Sequence, residues 1–168
     1  MRYHNITHDD LMNGEGLRVV LWVAGCEHHC PGCQNPVTWN PDDGLEFDEQ
    51  ALMEIHNYLA KDYISGITFS GGDPLHPNNR GVILGLAIMA KEFFKKSVWL
   101  YTGYLWEEIR ELPCIQYVDV IVDGRFEKDL ADVKYPWAGS TNQRVIDVKK
   151  SLESGEIVLW DADKEEVP

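Results

Sequence analysis

The chain has 168 residues, with 15 Lys and Arg against 28 Asp and Glu, a formal net charge of −13. So acidic a balance excludes a general nucleic-acid or anionic-membrane surface, because those affinities are built from Lys and Arg meeting phosphate. A content of 44% hydrophobic and 11% aromatic residues excludes a disordered chain, and the length excludes a closed eight-fold β/α barrel, which takes about 250 residues. One domain is expected over residues 1–160, since a chain of this size buries about 68–70% of its unfolded surface without disulfide staples. Residues 161–168 form an acidic tail, expected to be disordered. The N-terminus MRYHNITHDD has no apolar targeting region, and the longest strongly apolar run, Val82 to Ala90, is too short to span a bilayer. The chain is expected in the cytoplasm, with a protein or small molecule as its partner.

In chain order, Arg18 to Ala24 is a β-branched, apolar run ending at Gly25 and reads as a buried strand. Asp48 to Lys61 carries Leu52, Ile55, His56 and Leu59 at helical spacing, with Asp48 placed as an N-cap. Ile64 to Ser70 is a second strand, stopping at Gly71-Gly72. Residues 80–96 form the strongest helix, apolar through Val82, Ile83, Leu86, Met89, Ala90 and Phe93. Val98 to Thr102 and Tyr117 to Val122 are further strands, separated by a short helix around Trp106 to Leu112. Ile157 to Trp160 reads as a last strand or a cover over the sheet.

Strands alternating with helices predict an α/β fold with a mostly parallel sheet and right-handed crossovers. In such folds ligands bind at the carboxyl ends of the strands. Here those ends read Gly25-Cys26, Ser70-Gly71-Gly72-Asp73, Thr102-Gly103-Tyr104 and Asp123-Gly124-Arg125. All four are expected on one rim.

Three of the four cysteines, Cys26, Cys30 and Cys33, follow the first strand as C-x3-C-x2-C, while Cys114 lies far off and reads as a core residue. In a reducing compartment such a cluster points to metal or redox chemistry rather than disulfides. Spacing on one helix face would also suit three core thiols, but Pro31 and Gly32 oppose a continuous helix and suit a wrapped loop. Two thiolate chemistries remain open on spacing alone. Zinc would take three cysteines with His28 or His29, and an iron–sulfur cluster would leave one iron without a protein ligand. His4 and His8 read as surface groups.

The three-cysteine loop after the first strand, with Ser70-Gly71-Gly72-Asp73-Pro74 after the second, resembles the radical S-adenosylmethionine superfamily. More blocks occur in order: Asn13-Gly14-Glu15-Gly16, Gly25-Cys26 through Cys33-Gln34-Asn35, Ser70 to His76, Tyr101 to Tyr104, Val122 to Phe126, and Gly139 to Arg144. Together, over about residues 3–148, they resemble the proteins that activate anaerobic ribonucleoside-triphosphate reductase. The resemblance implies an open, partial (β/α) barrel and a 4Fe-4S cluster on Cys26, Cys30 and Cys33, with S-adenosylmethionine chelating the fourth iron. It places Gly32, Cys33, Gln34, Gly71, Gly72 and Asp73 against that cofactor, with Thr102 near the ribose. Gly71-Gly72 would let a backbone approach the methionine end. Tyr104 and Trp39 read by default as packing aromatics.

The implied activity is reductive cleavage of S-adenosylmethionine to a 5′-deoxyadenosyl radical, which makes a glycyl radical on the reductase, with a flavodoxin-type electron donor. Action on another glycyl-radical protein or a small molecule, or a zinc-bound interaction protein, are the alternatives. An acidic donor would need a local basic patch, for which Lys91, Lys95 and Lys96 are candidates, although solvated lysines are the simpler reading. The family commonly carries an arginine where this chain has Ala138, and Arg144 is the candidate to compensate.

Overall fold

The computed structural model describes residues 1–161. The acidic tail beyond Asp161 lies outside the described residues. The elements are β1 (Arg2–Asp10), β2 (Arg18–Val23), β3 (Leu45–Glu46), α1 (Glu49–Leu59), β4 (Gly66–Gly71), α2 (Arg80–Ile88), β5 (Ser97–Tyr101), α3 (Trp106–Ile109), β6 (Val120–Asp123), β7 (Arg144–Asp147) and α4 (Val148–Ser154). The strands form one open seven-stranded sheet in the order β3-β1-β2-β4-β5-β6-β7.

The four central strands β2, β4, β5 and β6 are mutually parallel. Both flanks are antiparallel, through β1–β2, β1–β3 and β6–β7. The expectation of a mostly parallel sheet is therefore corrected: three of the six neighbouring pairs are parallel. Between β1 and β2 the cause is connection length. The 11–17 link between β1 and β2 is too short for a crossover, so it makes a hairpin.

Each central strand is added on the same side of the one before it. Right-handed crossovers then place every connecting helix on one face. That face buries Val19, Leu21, Val23, Ile67, Phe69, Val98, Leu100, Ile121 and Ile146 in one cluster with Ile55 and Leu59 of α1, Ile83 and Leu86 of α2, and Trp106 of α3. Burying an aliphatic or aromatic side chain of this size contributes about 1.5–3 kcal/mol. The opposite face is different in kind, with Val20, Thr68, Trp99 and Val120 in register across it. At its base Arg18, fully buried, uses all five donors: Nε on Thr68 Oγ1, Nη1 on Glu15 O and Ser97 Oγ, Nη2 on Ile67 O and Ser97 O. Burial lowers its pKa to about 10. Trp137 and Trp160 pack edge-on against Trp99, at centroid distances of 5.3 and 5.9 Å.

Local chemistry explains most element ends. Asp48 caps α1, accepting from Ala51 N at 2.9 Å. The helix expected over 80–96 is α-helical only to Ile88. A π-turn over Met89–Phe93 follows, closed by Phe94 N bonding Met89 O, and Lys95 at φ 56° ends it. The strand expected from Tyr117 begins at Val120, because Asp119 is engaged in capping β5: it accepts from Val98 N and from Lys91 Nζ, both at 2.7 Å. Residues 157–160 act as a cover, bridging Ile146 through Leu159. Among the described residues, no helix is long and apolar enough to cross a membrane.

Candidate functional site

The carboxyl ends of the four parallel strands do meet. Asp73 N donates to Gly25 O at 2.7 Å, joining the ends of β4 and β2. Thr102 Oγ1 donates to the Asp73 carboxylate at 2.9 Å, adding the end of β5, and Gly124 N donates to Tyr104 O at 3.0 Å, adding that of β6. The rim follows from parallel order and one-sided winding.

The cysteine loop leaves β2 at Gly25 and returns against it, with Gly25 N on Thr38 O at 2.7 Å and Cys26 N on Trp39 O at 3.0 Å. Between these anchors it is loop up to a 3-10 turn over Pro36–Thr38, as Pro31 and Gly32 require. Cys33 N bonds Cys30 O at 3.0 Å, and His29 and Gly32 have positive φ. Cys26, Cys30 and Cys33 are half-buried free thiols, and Cys114 is buried in the core as expected. Asn35 N donates to Cys33 Sγ at 3.3 Å. Burial pushes the Cys26 thiol up to about 11, while the backbone N–H groups of His28 and His29 pull the other way.

Among the described residues, no three His, Cys, Asp or Glu side chains stand in the arrangement of a single-ion site. The histidines weighed as zinc ligands are engaged elsewhere: His28 on Asp73, and His29 stacked on Trp39 at a centroid distance of 4.7 Å. The donor chemistry does fit an iron–sulfur cluster. Three half-buried thiols share one loop, a backbone N–H already points at the Cys33 sulfur, and the remaining cysteine, Cys114, is buried in the core.

Asp73 is the hub of the rim. Its carboxylate, 1% exposed, accepts from Thr102 Oγ1, from Gly103 N at 3.0 Å, from Leu75 N at 2.9 Å and from His28 Nε2 at 2.6 Å. His28 enters through a slot that Gly103 leaves, since a Cβ there would lie 2.4 Å from the imidazole, and it meets Tyr104 edge-on. Sequence reasoning put Asp73 on the rim of strand ends, where the structure has it, but left His28 unassigned. The signal that could have found it is a side chain two residues past Cys26, opposite the only acidic residue of the Ser70–His76 block. Gly71 and Gly72 also meet a need within the chain itself. A Cβ on Gly72 would lie 2.5 Å from Gly25 O, and Gly71, at φ 101°, would place one 2.6 Å from Val23 N. The glycines let the rim close on itself.

Of the other expected site residues, Gly32 is exposed beneath the stem of Lys128, Gln34 is exposed, and Thr102 is buried with its hydroxyl on Asp73. A cavity of about 200 Å³ lined by Glu27, His28, Gly103, Tyr104, Glu108 and Arg125 opens beside them. A larger one, about 330 Å³, is lined by Met1, Arg2, Pro41, Asp42, Asn78 and Asn79 and holds no cysteine.

Two expectations are corrected. Lys91 is paired with Asp119, and Lys96 donates to the carbonyls of Lys61 and Ile64. Both lie beside the start of β5, at the end of the sheet away from the cysteines. Arg144 is held by Asp123, with Nη2 to Oδ2 at 2.6 Å, and by Glu107 at 2.9 Å, so it is not free to stand in for an arginine at Ala138.

This fold and site define an iron–sulfur protein of the single-cluster type, and residues 12–146 match the family model described as a 4Fe-4S single cluster domain. The chain is 47% identical to the anaerobic ribonucleoside-triphosphate reductase-activating protein of Enterobacteria phage T4 over 86% of this chain and 93% of that one. It is 41% identical to the proteins of the same name from Pasteurella multocida, over 85% and 95%, and Escherichia coli, over 86% and 97%. The chain belongs to the family of anaerobic ribonucleoside-triphosphate reductase-activating proteins.

Proposed function

We propose that this protein activates anaerobic ribonucleoside-triphosphate reductase by radical S-adenosylmethionine chemistry, with residues 1–160 as one catalytic unit in the cytoplasm. One observation carries the reading: the three-cysteine loop and the buried Asp73 carboxylate share a single rim at the carboxyl ends of the parallel strands. One-sided winding supports an open, partial barrel whose helix-free face is turned toward the reaction. Cys26, Cys30 and Cys33 would hold the 4Fe-4S cluster, leaving one iron for S-adenosylmethionine. Held there, a cluster would supply the electron, taken from a flavodoxin-type donor, for reductive cleavage of S-adenosylmethionine to methionine and a 5′-deoxyadenosyl radical, the species that would take a hydrogen atom from a glycine of the reductase.

The chain's own residues bind and orient. Asp73 presents a carboxylate to the cofactor's ammonium, and Thr102 acts through Asp73 by fixing it. Gly71 and Gly72 bring β4 close against β2 and Gly25, which sets Asp73 facing the cysteine loop. Gly32 and Gln34 flank Cys33 and would line the cofactor's outer side.

The test is anaerobic reconstitution followed by assay of 5′-deoxyadenosine and of the glycyl-radical resonance, with and without the reductase. Both signals are expected in the complete mixture, and Cys30→Ala is expected to lose both. A Cys30→Ala protein that assembles a full cluster and cleaves the cofactor overturns the assignment.

A further inference from the structure

We propose that His28 is a positioning residue: in the cluster-free chain its imidazole occupies Asp73 and fixes the cysteine loop, and cofactor binding exchanges that imidazole for the cofactor's ammonium. The inference rests on the function proposed above and goes beyond it to a residue outside the cysteine and glycine motifs.

The Asp73 carboxylate offers about four acceptor positions. Four donors fill them: Leu75 N, Gly103 N, Thr102 Oγ1 and His28 Nε2. An ionised carboxylate only accepts, so Nε2 is the protonated nitrogen in this contact. A ligand ammonium therefore cannot be added; it must replace a donor. Leu75 and Gly103 donate through backbone held by the ends of β4 and β5, and Thr102 is 5% exposed within the same wall. His28 alone comes from outside, on the loop that carries the thiols. Its contact is the shortest of the four, at 2.6 Å, with side-chain exposures of 6% and 2% for the two partners.

The same contact holds the loop in place. Between Cys26 and Cys30, His28 makes the short, buried side-chain contact with the wall of the rim, bracketed by Tyr104 and by the space at Gly103, whereas Glu27, largely exposed, reaches His76 only at 3.6 Å. The imidazole thus presents the thiols on the rim before any iron arrives, while keeping a buried carboxylate satisfied. Cofactor binding must then displace it, so the observed affinity is reduced by the fraction of chains in which it is docked.

The test compares His28→Ala and His28→Gln with wild type, with circular dichroism confirming the fold. Three readouts are used: alkylation rate of the thiols in the cluster-free chain, rate of cluster assembly from iron and sulfide, and dissociation constant of S-adenosylmethionine from the loaded protein. His28→Ala is expected to speed alkylation and slow assembly several-fold, yet to bind S-adenosylmethionine at least about threefold more tightly, because no imidazole competes. His28→Gln, whose amide still donates, is expected to fall between. Alkylation at the wild-type rate, or weaker cofactor binding by His28→Ala, overturns the proposal; a merely structural histidine would lower assembly and affinity together. A wild-type chain that takes up no cluster and binds no cofactor defeats the proposed function instead, and the alkylation rates still judge the loop-fixing role.

Discussion

Cys26 shows how strongly this site depends on what fills it. Burial holds its thiol protonated to about pH 11, against an ordinary value of 9.0. A folded-state pKa raised above the unfolded one contributes stability that is fully present below the unfolded value and is lost as pH climbs through the folded value. The cluster-free protein is therefore expected to lose melting temperature between about pH 9 and pH 11, and Cys26→Ala to flatten that decline; melts across the window read both. Cluster assembly must remove the same proton, so its rate is expected to rise with pH. Gly72 makes a second case. Its missing Cβ would lie 2.5 Å from Gly25 O and 2.9 Å from Thr38 O, both backbone atoms with no freedom to rotate away. Gly72→Ala is expected to destabilise the chain by about 1–3 kcal/mol by overpacking, measured by denaturant unfolding, even with no cofactor present. The glycines were legible as a motif. Their packing role was not, because the close approach of β4 to Gly25 exists only once the sheet has formed.

At the scale of elements, the sequence disclosed what its local chemistry controls. β2, β4, β5 and β6 are runs of β-branched and aromatic residues buried on both faces, and such runs announce themselves. β1 does not: RYHNITHDD buries only Ile6, and it is a strand because it pairs with β2. β7 and α4 were missed for a related reason. Four residues of strand and seven of helix carry too little periodicity, and their stability comes from Asp123, from β6 and from the Asp147 cap on Lys150 N. The long helix was legible, but its direction changes what its lysines can do. α2 starts at the rim and runs away from it, and Lys96 adjoins Ser97, whose strand partner Gly66 starts β4. The 14 residues of Arg80–Phe93 advance about 20 Å at 1.5 Å per residue. A donor docked on Lys95 would sit a sheet's length from the cysteines. Lys95→Glu is therefore expected to leave the rate of cluster reduction by a flavodoxin, and its salt dependence, unchanged; a several-fold loss would return the donor to this end of the molecule.

At the scale of the whole molecule, the residues between β6 and β7 matter most for closing the structure. The chain leaves β6 at Asp123, makes a twenty-residue excursion over 124–143, and re-enters the sheet at Arg144, the register partner of Asp123. Along the way it lays Lys128 over Gly32 of the cysteine loop and Trp137 against Trp99 on the helix-free face. Both ends of the excursion are held by one ion pair. Asp123, fully buried, accepts from Arg144 Nε and Nη2, from Arg144 N, and from Trp106 N at the start of α3. The pair thus joins β6, β7 and α3 behind the rim. Its two arginine contacts differ in worth. Glu107 is largely exposed, and losing it costs less than about 1 kcal/mol. Asp123 is 1% exposed on its side chain, and Arg144→Ala would leave that carboxylate buried beside only two backbone donors. Removing one partner of a buried pair typically costs 3–5 kcal/mol, and the partial exposure of Arg144 sets the expectation near the lower end, about 3 kcal/mol. For a chain of this length that corresponds to a fall in melting temperature of about 6–12 °C, against about 2–4 °C or less for Glu107→Gln. Because the excursion also covers Gly32, Arg144→Ala is expected to raise the alkylation rate of Cys33 at temperatures well below its melting point, while Glu107→Gln leaves that rate unchanged. Equal melting temperatures for the two variants would show that the excursion is held by the Trp137–Trp99 contact rather than by the buried pair.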